Sequence, residues 1–395
     1  MNHQLVLGLG GCVDFELDWD ADVLADLARE HHIGLADLDI AVPIQDERSL
    51  VCSLLGFLAA DQGGERFVGS SEVAIAFAER FRYKVSLGGT CVRAAMAIAK
   101  LGVPSLVHLV SIDDNVRRLL PSNVSYLCSA EADTLDPHVI VQFPAGASVA
   151  LVDGEVRATH PNRIIFVNDP PNRDLVLSDD LPEALVDARA FLPAGFNVMS
   201  DAGLLRQRIT FLNAAMRKLP DEAVVFYEDS GFHQQELRDI VSREFSGRID
   251  VHSLNEDELQ AYLGRRIDLL DVAQVKQALA DFFHGFSIAP TVVVHTKYWA
   301  LAFGKQPRRY CDALAAAIDL AGVRYWRGDD FTVDDLAAVA ALPVRPDGQR
   351  FAVQVSAELA EAVCCVPTRL IETDTPTTIG LGDTFVGGFL AALID

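Results

Sequence analysis

The sequence is poor in positive charge and has no long apolar run. Of its 395 residues, 33 are Lys or Arg and 56 are Asp or Glu, a formal net charge of −23. A surface of that sign repels nucleic-acid phosphates and anionic lipid headgroups, so no nucleic acid and no membrane is expected as a partner. No apolar run reaches the roughly 18 residues that a bilayer-spanning helix needs. The opening MNHQLVLGLGGCVDF lacks a basic stretch followed by a long apolar one, which argues against a secretory signal and for a cytoplasmic location. Repeats and low-complexity tracts are missing, and so is any C-x-x-C pair. Cys12, Cys52, Cys91, Cys128, Cys311, Cys364 and Cys365 are odd in number, and two of them adjoin. Reduced, buried thiols are expected rather than a disulfide framework or a zinc site.

What is present suits a large globular chain. Half of the residues are apolar and 23% are charged, enough for one large domain and a smaller one. A short apolar run, Leu5 to Leu9, reads as a buried strand delivering the glycine turn Gly8, Gly10, Gly11. Residues 20–40 read as a helix and then a strand, and 48–61 and 71–82 as helices. CVRAAMAIAKLG reads as a small-residue helix closed by Gly102, with a strand at 106–110. Between 121 and 168 the chain turns β-rich (HVIVQF, SVALVDG, RIIFVN). Helices are then expected at 202–218, 233–245, 255–263, 272–284 and 311–321, strands at 223–227, 249–253 and 291–295, and a last helix from near Gly382. Strands alternating with helices imply a parallel-type sheet covered on both faces, with ligands at the carboxyl ends of its strands.

Four motifs lie where that rule puts chemistry. In TTIGLGDTFVGGF (377–389), Gly380, Leu381 and Gly382 lead into Asp383 at a helix start. N–H groups there suit a phosphate, and the carboxylate suits proton abstraction from an attacking hydroxyl, although Asp383 could equally be a cap. Gly88 and Gly89 precede the 90s helix and allow close approach of a polar ligand, or merely tight packing. In SLNEDEL (253–259), Asn255 and Glu258 form an N-x-x-E pattern able to organise Mg²⁺ and phosphate, and equally a capping box. Glu228, in VVFYEDSG, directly follows an apolar strand and so lands at the sheet's active edge, or is an ordinary strand-end loop carboxylate.

The G-x-G-D segment near the C-terminus resembles the signature of ribokinase-like kinases. Over nearly its whole length the chain resembles the ADP-dependent glucokinase/phosphofructokinase family. The glycines followed by Cys12-Val13-Asp14 are similar to that family's first strand and sugar-binding Asp. GGERFVGSSEVA (63–74) is similar to the segment carrying its sugar-contacting Glu, here Glu65. NRIIFVNDPPN (162–172) is similar to its N-R-F-I-F segment, which implies a nucleotide-phosphate role for Arg163. VVVHTKYWAL (292–301) is similar to its H-T-x-Y stretch near the nucleotide, implicating His295 and Thr296. FNVMSDAGLL (196–205) and FYE (226–228) depart from the pattern, Asp201 interrupting the first and Phe226 standing where the family has His.

The resemblance implies a ribokinase-like α/β core (1–13, 51–120, 169–395) and a smaller, partly β lid (14–50, 121–168) that together enclose a sugar. It implies phosphoryl transfer from ADP, giving AMP, to a hexose or hexose phosphate, with glucose first and fructose 6-phosphate second. An ATP-dependent kinase of the same fold and a non-catalytic sugar-binding regulator are the rivals. Asp383 is then the base, Gly380 to Gly382, Arg163, His295, Thr296 and Asn255 serve the nucleotide, and Asp14, Glu65, Gly88 and Gly89 hold the sugar. Glu228, Glu258 and Asp383 attend Mg²⁺. Arg93, four residues past Gly89, could pair a phosphate or acid group, or be a solvated helix residue or the partner of a lid carboxylate.

Overall fold

The computed structural model describes residues 4–232, 234–245, 248–374 and 376–394. The first strands are β1 (Leu5–Leu7), β2 (Cys12–Leu17), β3 (Gly64–Phe67), β4 (Tyr83–Gly88), β5 (Ser105–Leu109) and β6 (Val124–Cys128). Next come β7 (His138–Phe143), β8 (Ser148–Ala150), β9 (Glu155–Arg157) and β10 (Asn162–Val167). The rest of the chain adds β11 (Ala190–Leu192), β12 (Val224–Glu228), β13 (Val251–Asn255), β14 (Thr291–His295), β15 (Trp299–Gly304) and β16 (Val363–Pro367).

Two sheets divide these strands. The larger has nine, in the order β16-β15-β14-β13-β12-β11-β1-β5-β6. It is parallel from β6 to β14 and antiparallel at β15 and β16. Leu5, Val6 and Leu7 are wholly buried, as expected of a central parallel strand covered on both faces. The smaller sheet has five strands in the order β3-β10-β7-β2-β4, and β8 and β9 form a separate hairpin.

The smaller sheet is not bounded as the sequence suggested. β3 and β4, from the segment assigned to the core, pair within it, and β6, from the segment assigned to the lid, is an edge strand of the large sheet. Pairing partners, not local composition, make that division. Residues 35–37 form a 3₁₀ turn, and no strand follows the Ala21–Glu30 helix. Two helices, Val333–Ala340 and Pro346–Leu359, and strands β15 and β16 have no counterpart in the sequence reading.

The smaller sheet has two unlike faces because side chains alternate along a strand. Val13, Phe15 and Leu17 of β2, Val139, Val141 and Phe143 of β7, and Ile164 and Phe166 of β10 are buried in the main apolar core. The helix Ser71–Ala78 packs on β7 and β10. The alternate residues, Cys12 and Asp14, His138 and Ile140, and Arg163 and Ile165, line a cavity between the two sheets.

The cysteines depart from expectation at one place. Cys311 and Cys364 are joined in a disulfide, with Cα atoms 5.9 Å apart, while Cys12, Cys52, Cys91, Cys128 and Cys365 are free. Cys311 opens the helix Cys311–Arg327 and Cys364 lies on β16, against which that helix packs. The tertiary contact brings the pair within bridging range, which sequence spacing does not reveal. Phe226 fills the core against Phe389 at 4.8 Å between ring centroids, so it is a packing residue. Asp201 caps the helix Ala202–Ala215 by accepting the Leu204 N–H, which explains the interrupted pattern there.

Acid sensitivity follows from His108 on β5. The ring is fully buried, and its Nε2 accepts the Ser178 N–H at 2.9 Å, which requires an unprotonated nitrogen. Burial lowers its pKa from the ordinary 6.5 to about 4. Between those values the unfolded chain binds a proton that the folded chain refuses, so stability falls as pH falls. Urea unfolding should show a loss of about 1.5 kcal/mol from pH 6.5 to pH 5 through this ring, the slope rising toward roughly 1.4 kcal/mol per pH unit below 6.5. His108→Gln should flatten that part of the slope; an unchanged slope would assign it to other groups.

Candidate active site

The chain crosses between the sheets at glycines. β1 ends in the large sheet at Leu7 and β2 begins in the smaller one at Cys12, with Gly8, Gly10 and Gly11 between them. β4 leaves the smaller sheet at Gly88, and the helix Thr90–Ala99 starts two residues later. Gly89 takes φ +88°, and a Cβ there would lie 2.9 Å from the Gly11 Cα, so the two crossings touch backbone to backbone. Asn172 ties down the first crossing by donating from Nδ2 to the Gly11 carbonyl at 2.9 Å and to Asp169 Oδ2 at 2.7 Å.

The cavity beside these crossings has a volume of about 360 Å³. Asp14, Glu65, Arg93, His138, Arg163, Gly380 and Asp383 are among its lining. Asp14 is buried and receives Nη2 of the equally buried Arg93 at 2.5 Å. Arg93 lies 3.8 Å from Glu16 as well. His138 places Nε2 3.0 Å from Asp169 and Nδ1 4.0 Å from Asp14. Desolvation depresses the His138 pKa, but Asp169, Asp14 and Glu65 outweigh it and hold the value above normal. Arg163 is held below the ordinary value, first by desolvation and then by Arg93, with Asp383 acting in the opposite sense.

Asp383 stands in the first turn of the helix Leu381–Ala392, whose N-cap is Gly380 with no side-chain cap. Gly380 has φ +69°, and a Cβ on it would come within 3.0 Å of the Arg93 side chain. Arg324, also buried, donates from Nε to the Ile379 carbonyl at 2.8 Å and pairs with Asp329 at 2.5 Å. Two buried guanidinium groups therefore flank the turn before Asp383. The helix start offers backbone N–H groups and the positive end of its dipole to the cavity.

A second cluster lies at the carboxyl ends of β12, β13 and β14, adjacent strands ending at Glu228, Asn255 and His295. His295 Nε2 is 3.1 Å from Glu228 Oε1, and its ring stacks on Phe385 of the Asp383 helix at 4.6 Å. Glu228 is buried, and its Oε2 has no hydrogen-bond partner. Glu258 accepts the Asn255 N–H at 2.8 Å, and Asn255 caps the same helix by accepting from Asp257 and Glu258. Burial first, then Glu228 and Asp229, push the Glu258 carboxyl well above its usual range.

Comparison with known proteins decides what this arrangement belongs to. A model of the "ADP-specific Phosphofructokinase/Glucokinase conserved region" matches residues 3–392. The chain belongs to this family. Its members are phosphotransferases that act on sugar hydroxyls with ADP as donor. Solved structures of the same fold include a phosphofructokinase from Pyrococcus horikoshii OT3 with AMP, at 18% identity and a TM-score of 0.78, covering 100% of this chain and 98% of that one. A reconstructed last common ancestor of ADP-dependent phosphofructokinases from Methanosarcinales is 14% identical, with a TM-score of 0.78 over 99% and 94%. An ADP-dependent kinase in complex with fructose 6-phosphate and ADPβS is 13% identical, with a TM-score of 0.73 over 100% and 94%. At these identities the likeness is one of fold. No curated protein matches the chain.

Within this family member, the sequence-derived residues divide. Asp14, Glu65, Gly89, Arg163, Gly380 and Asp383 meet in one cavity. Gly88 does not line it, but a Cβ there would sit 2.5 Å from the Asp14 carboxylate, so its bareness makes room for Asp14. Leu381 and Gly382 carry the helix start, and Gly382 faces the His295 ring. Thr296 spends its hydroxyl on the turn between β14 and β15, donating to the Trp299 carbonyl at 2.8 Å and accepting from Tyr298 and Trp299 N–H. Asn255 and Glu258 adopt the capping box that their spacing also allowed. His138, Asp169, Asn172 and Arg324 went unnoticed. The usable signal for His138 was the alternation in HVIVQF, which puts it on the face opposite Val139.

The edge cluster fits a divalent cation. An unpartnered buried carboxylate oxygen on Glu228, next to a Glu258 carboxyl whose pKa burial and like charge raise, is relieved by positive charge. Among the described residues, no helix is long and apolar enough to cross a membrane.

Proposed function

We propose that this kinase transfers the terminal phosphoryl group of ADP to a hydroxyl of glucose or a closely similar hexose, releasing AMP. The observation that carries the reading is the meeting of Asp383, at an uncapped helix start, with Asp14 and Glu65 in one cavity. Asp383 accepts the proton of the sugar hydroxyl as that oxygen bonds to phosphorus. The N–H groups at the helix start and the Arg163 guanidinium offset the charge on the transferring phosphoryl oxygens. Asp14, fixed by Arg93, and Glu65 orient the sugar through its hydroxyls. Glu228 and Glu258 would hold Mg²⁺, which supplies charge neutralisation at the donor phosphates. The smaller sheet roofs the cavity and keeps water from competing with the sugar.

An uncharged acceptor is favoured because Arg93, the buried cation nearest Asp14, is already committed to carboxylates. A hexose phosphate is the second reading. It is favoured by Arg163, which lines the cavity and is in none of the ion pairs found among the described residues. Purified protein assayed with glucose or fructose 6-phosphate against ADP, ATP, GTP and pyrophosphate separates the readings. ADP with glucose should give the highest kcat/KM. Glu65→Ala should lower kcat/KM on glucose by about 10-fold or more, the scale of one hydrogen bond to a charged group. Turnover of fructose 6-phosphate alone, abolished by Arg163→Ala, overturns the glucose assignment. ATP turnover with ADP inert overturns the donor.

A further inference from the structure

We propose that Cys12, Asp14 and His138 form a binding site for a soft divalent cation, zinc above all, in the wall of the sugar cavity, and that the bound cation shuts the sugar out. The exclusion half rests on the proposed role of Asp14 as a sugar ligand; the site itself does not.

The three side chains are brought together by register. β2 and β7 run parallel with Asp14 directly opposite His138, and Cys12 precedes Asp14 by two residues on the same face. Cys12 Sγ lies 3.3 Å from Asp14 Oδ1, and His138 Nδ1 lies 4.0 Å from that same oxygen. One ligand atom from each residue lies within 4.8 Å of the other two. Tetrahedral zinc with ligands at roughly 2.0–2.3 Å has edges of about 3.3–3.8 Å, so small side-chain adjustments close the site. The cavity supplies the open fourth direction.

Groups behind the three residues are already placed for a metal. Asp169, buried and itself held by Asn172, takes the Nε2 side of His138 at 3.0 Å and leaves Nδ1 facing Cys12 and Asp14. A carboxylate behind a histidine in this way fixes the tautomer and raises the basicity of a metal-ligating ring. Arg93 occupies Oδ2 of Asp14 and leaves Oδ1 to the other two ligands. On binding, the Cys12 thiol and the Nδ1 position of any His138 ring that is charged give their protons to solvent as the metal–sulfur and metal–nitrogen bonds form. The dication and Arg93 then carry three positive charges, which the Cys12 thiolate and the buried carboxylates of Asp14 and Asp169 balance. Sulfur and nitrogen donors select zinc or cobalt and reject Mg²⁺, so the site is chemically separate from the carboxylates at Glu228 and Glu258.

The test is a cobalt(II) titration of the whole protein without added Mg²⁺, read as thiolate-to-cobalt charge-transfer absorption and then chased with zinc. One equivalent should develop the band, zinc should abolish it, and Cys12→Ser should lack it while Cys128→Ser keeps it. Asp169→Asn should weaken the affinity by about 10–100-fold. Saturating sugar substrate should lower the apparent cobalt affinity, and zinc should raise the apparent KM for that sugar. No band in the wild type, or a band that survives Cys12→Ser, overturns the site and leaves the kinase reading untouched. A Cys12-dependent band indifferent to sugar overturns the exclusion, and with it the sugar role of Asp14.

Discussion

Asp383→Asn should reduce kcat by roughly 10²-fold or more with both substrates saturating, the scale of a lost general base. The substitution keeps the size of the side chain and its ability to accept a hydrogen bond while removing its basicity. The N-cap of its helix is Gly380, not Asp383, and Thr384 donates its N–H and hydroxyl back to the Gly380 carbonyl. Folding should therefore survive, as urea unfolding and circular dichroism would report. Near-full activity in the variant would remove Asp383 from the base role. A fall in stability matching the fall in activity would return it to the structural role that the sequence also permitted.

Arg93→Leu should cost about 3–5 kcal/mol of stability, read as a lowered urea midpoint, because it strands Asp14 as an uncompensated buried charge. Arg93 and Asp14 are exposed by only 6% and 3%, so water cannot take the place of the lost partner. Activity should fall with stability, since the carboxylate assigned to the sugar loses its anchor. Pairing the change with Asp14→Leu should restore much of the stability but no activity, because replacing both partners of a buried ion pair by apolar groups is commonly neutral. Loss of phosphorylated-sugar turnover alone, with the urea midpoint unchanged, would identify Arg93 instead as a substrate-phosphate ligand. From the sequence, Arg93 could have been a phosphate ligand, a solvated helix residue or the partner of a carboxylate. The structure makes it the buried partner of Asp14.

The core was legible because parallel strands buried on both faces leave uninterrupted apolar runs. AVVFY and TVVVH could be read directly, and the glycines after β1 and before Asp383 marked turns that the structure places along the cavity. Residues at the C-terminal edge of the large sheet were legible for the same reason, since each follows its strand immediately. The ambiguity between cap and ligand at Asn255 and Glu258 was also legible, although geometry was needed to show the capping box formed.

By itself, the sequence determined the α/β class, the glycine turns after β1 and before Asp383, and the family. Those features are local: they depend on a residue's own neighbours in the chain and on a pattern repeated along it. The tertiary structure decided the membership of the smaller sheet, the disulfide between Cys311 and Cys364, and the commitment of Arg93 to Asp14. It also decided the meeting of Cys12, Asp14 and His138. Each of these joins residues tens to more than a hundred positions apart. Strand register and helix-on-sheet packing fix such contacts, because a shift of one residue would turn Asp14 and His138 from the cavity into the apolar core.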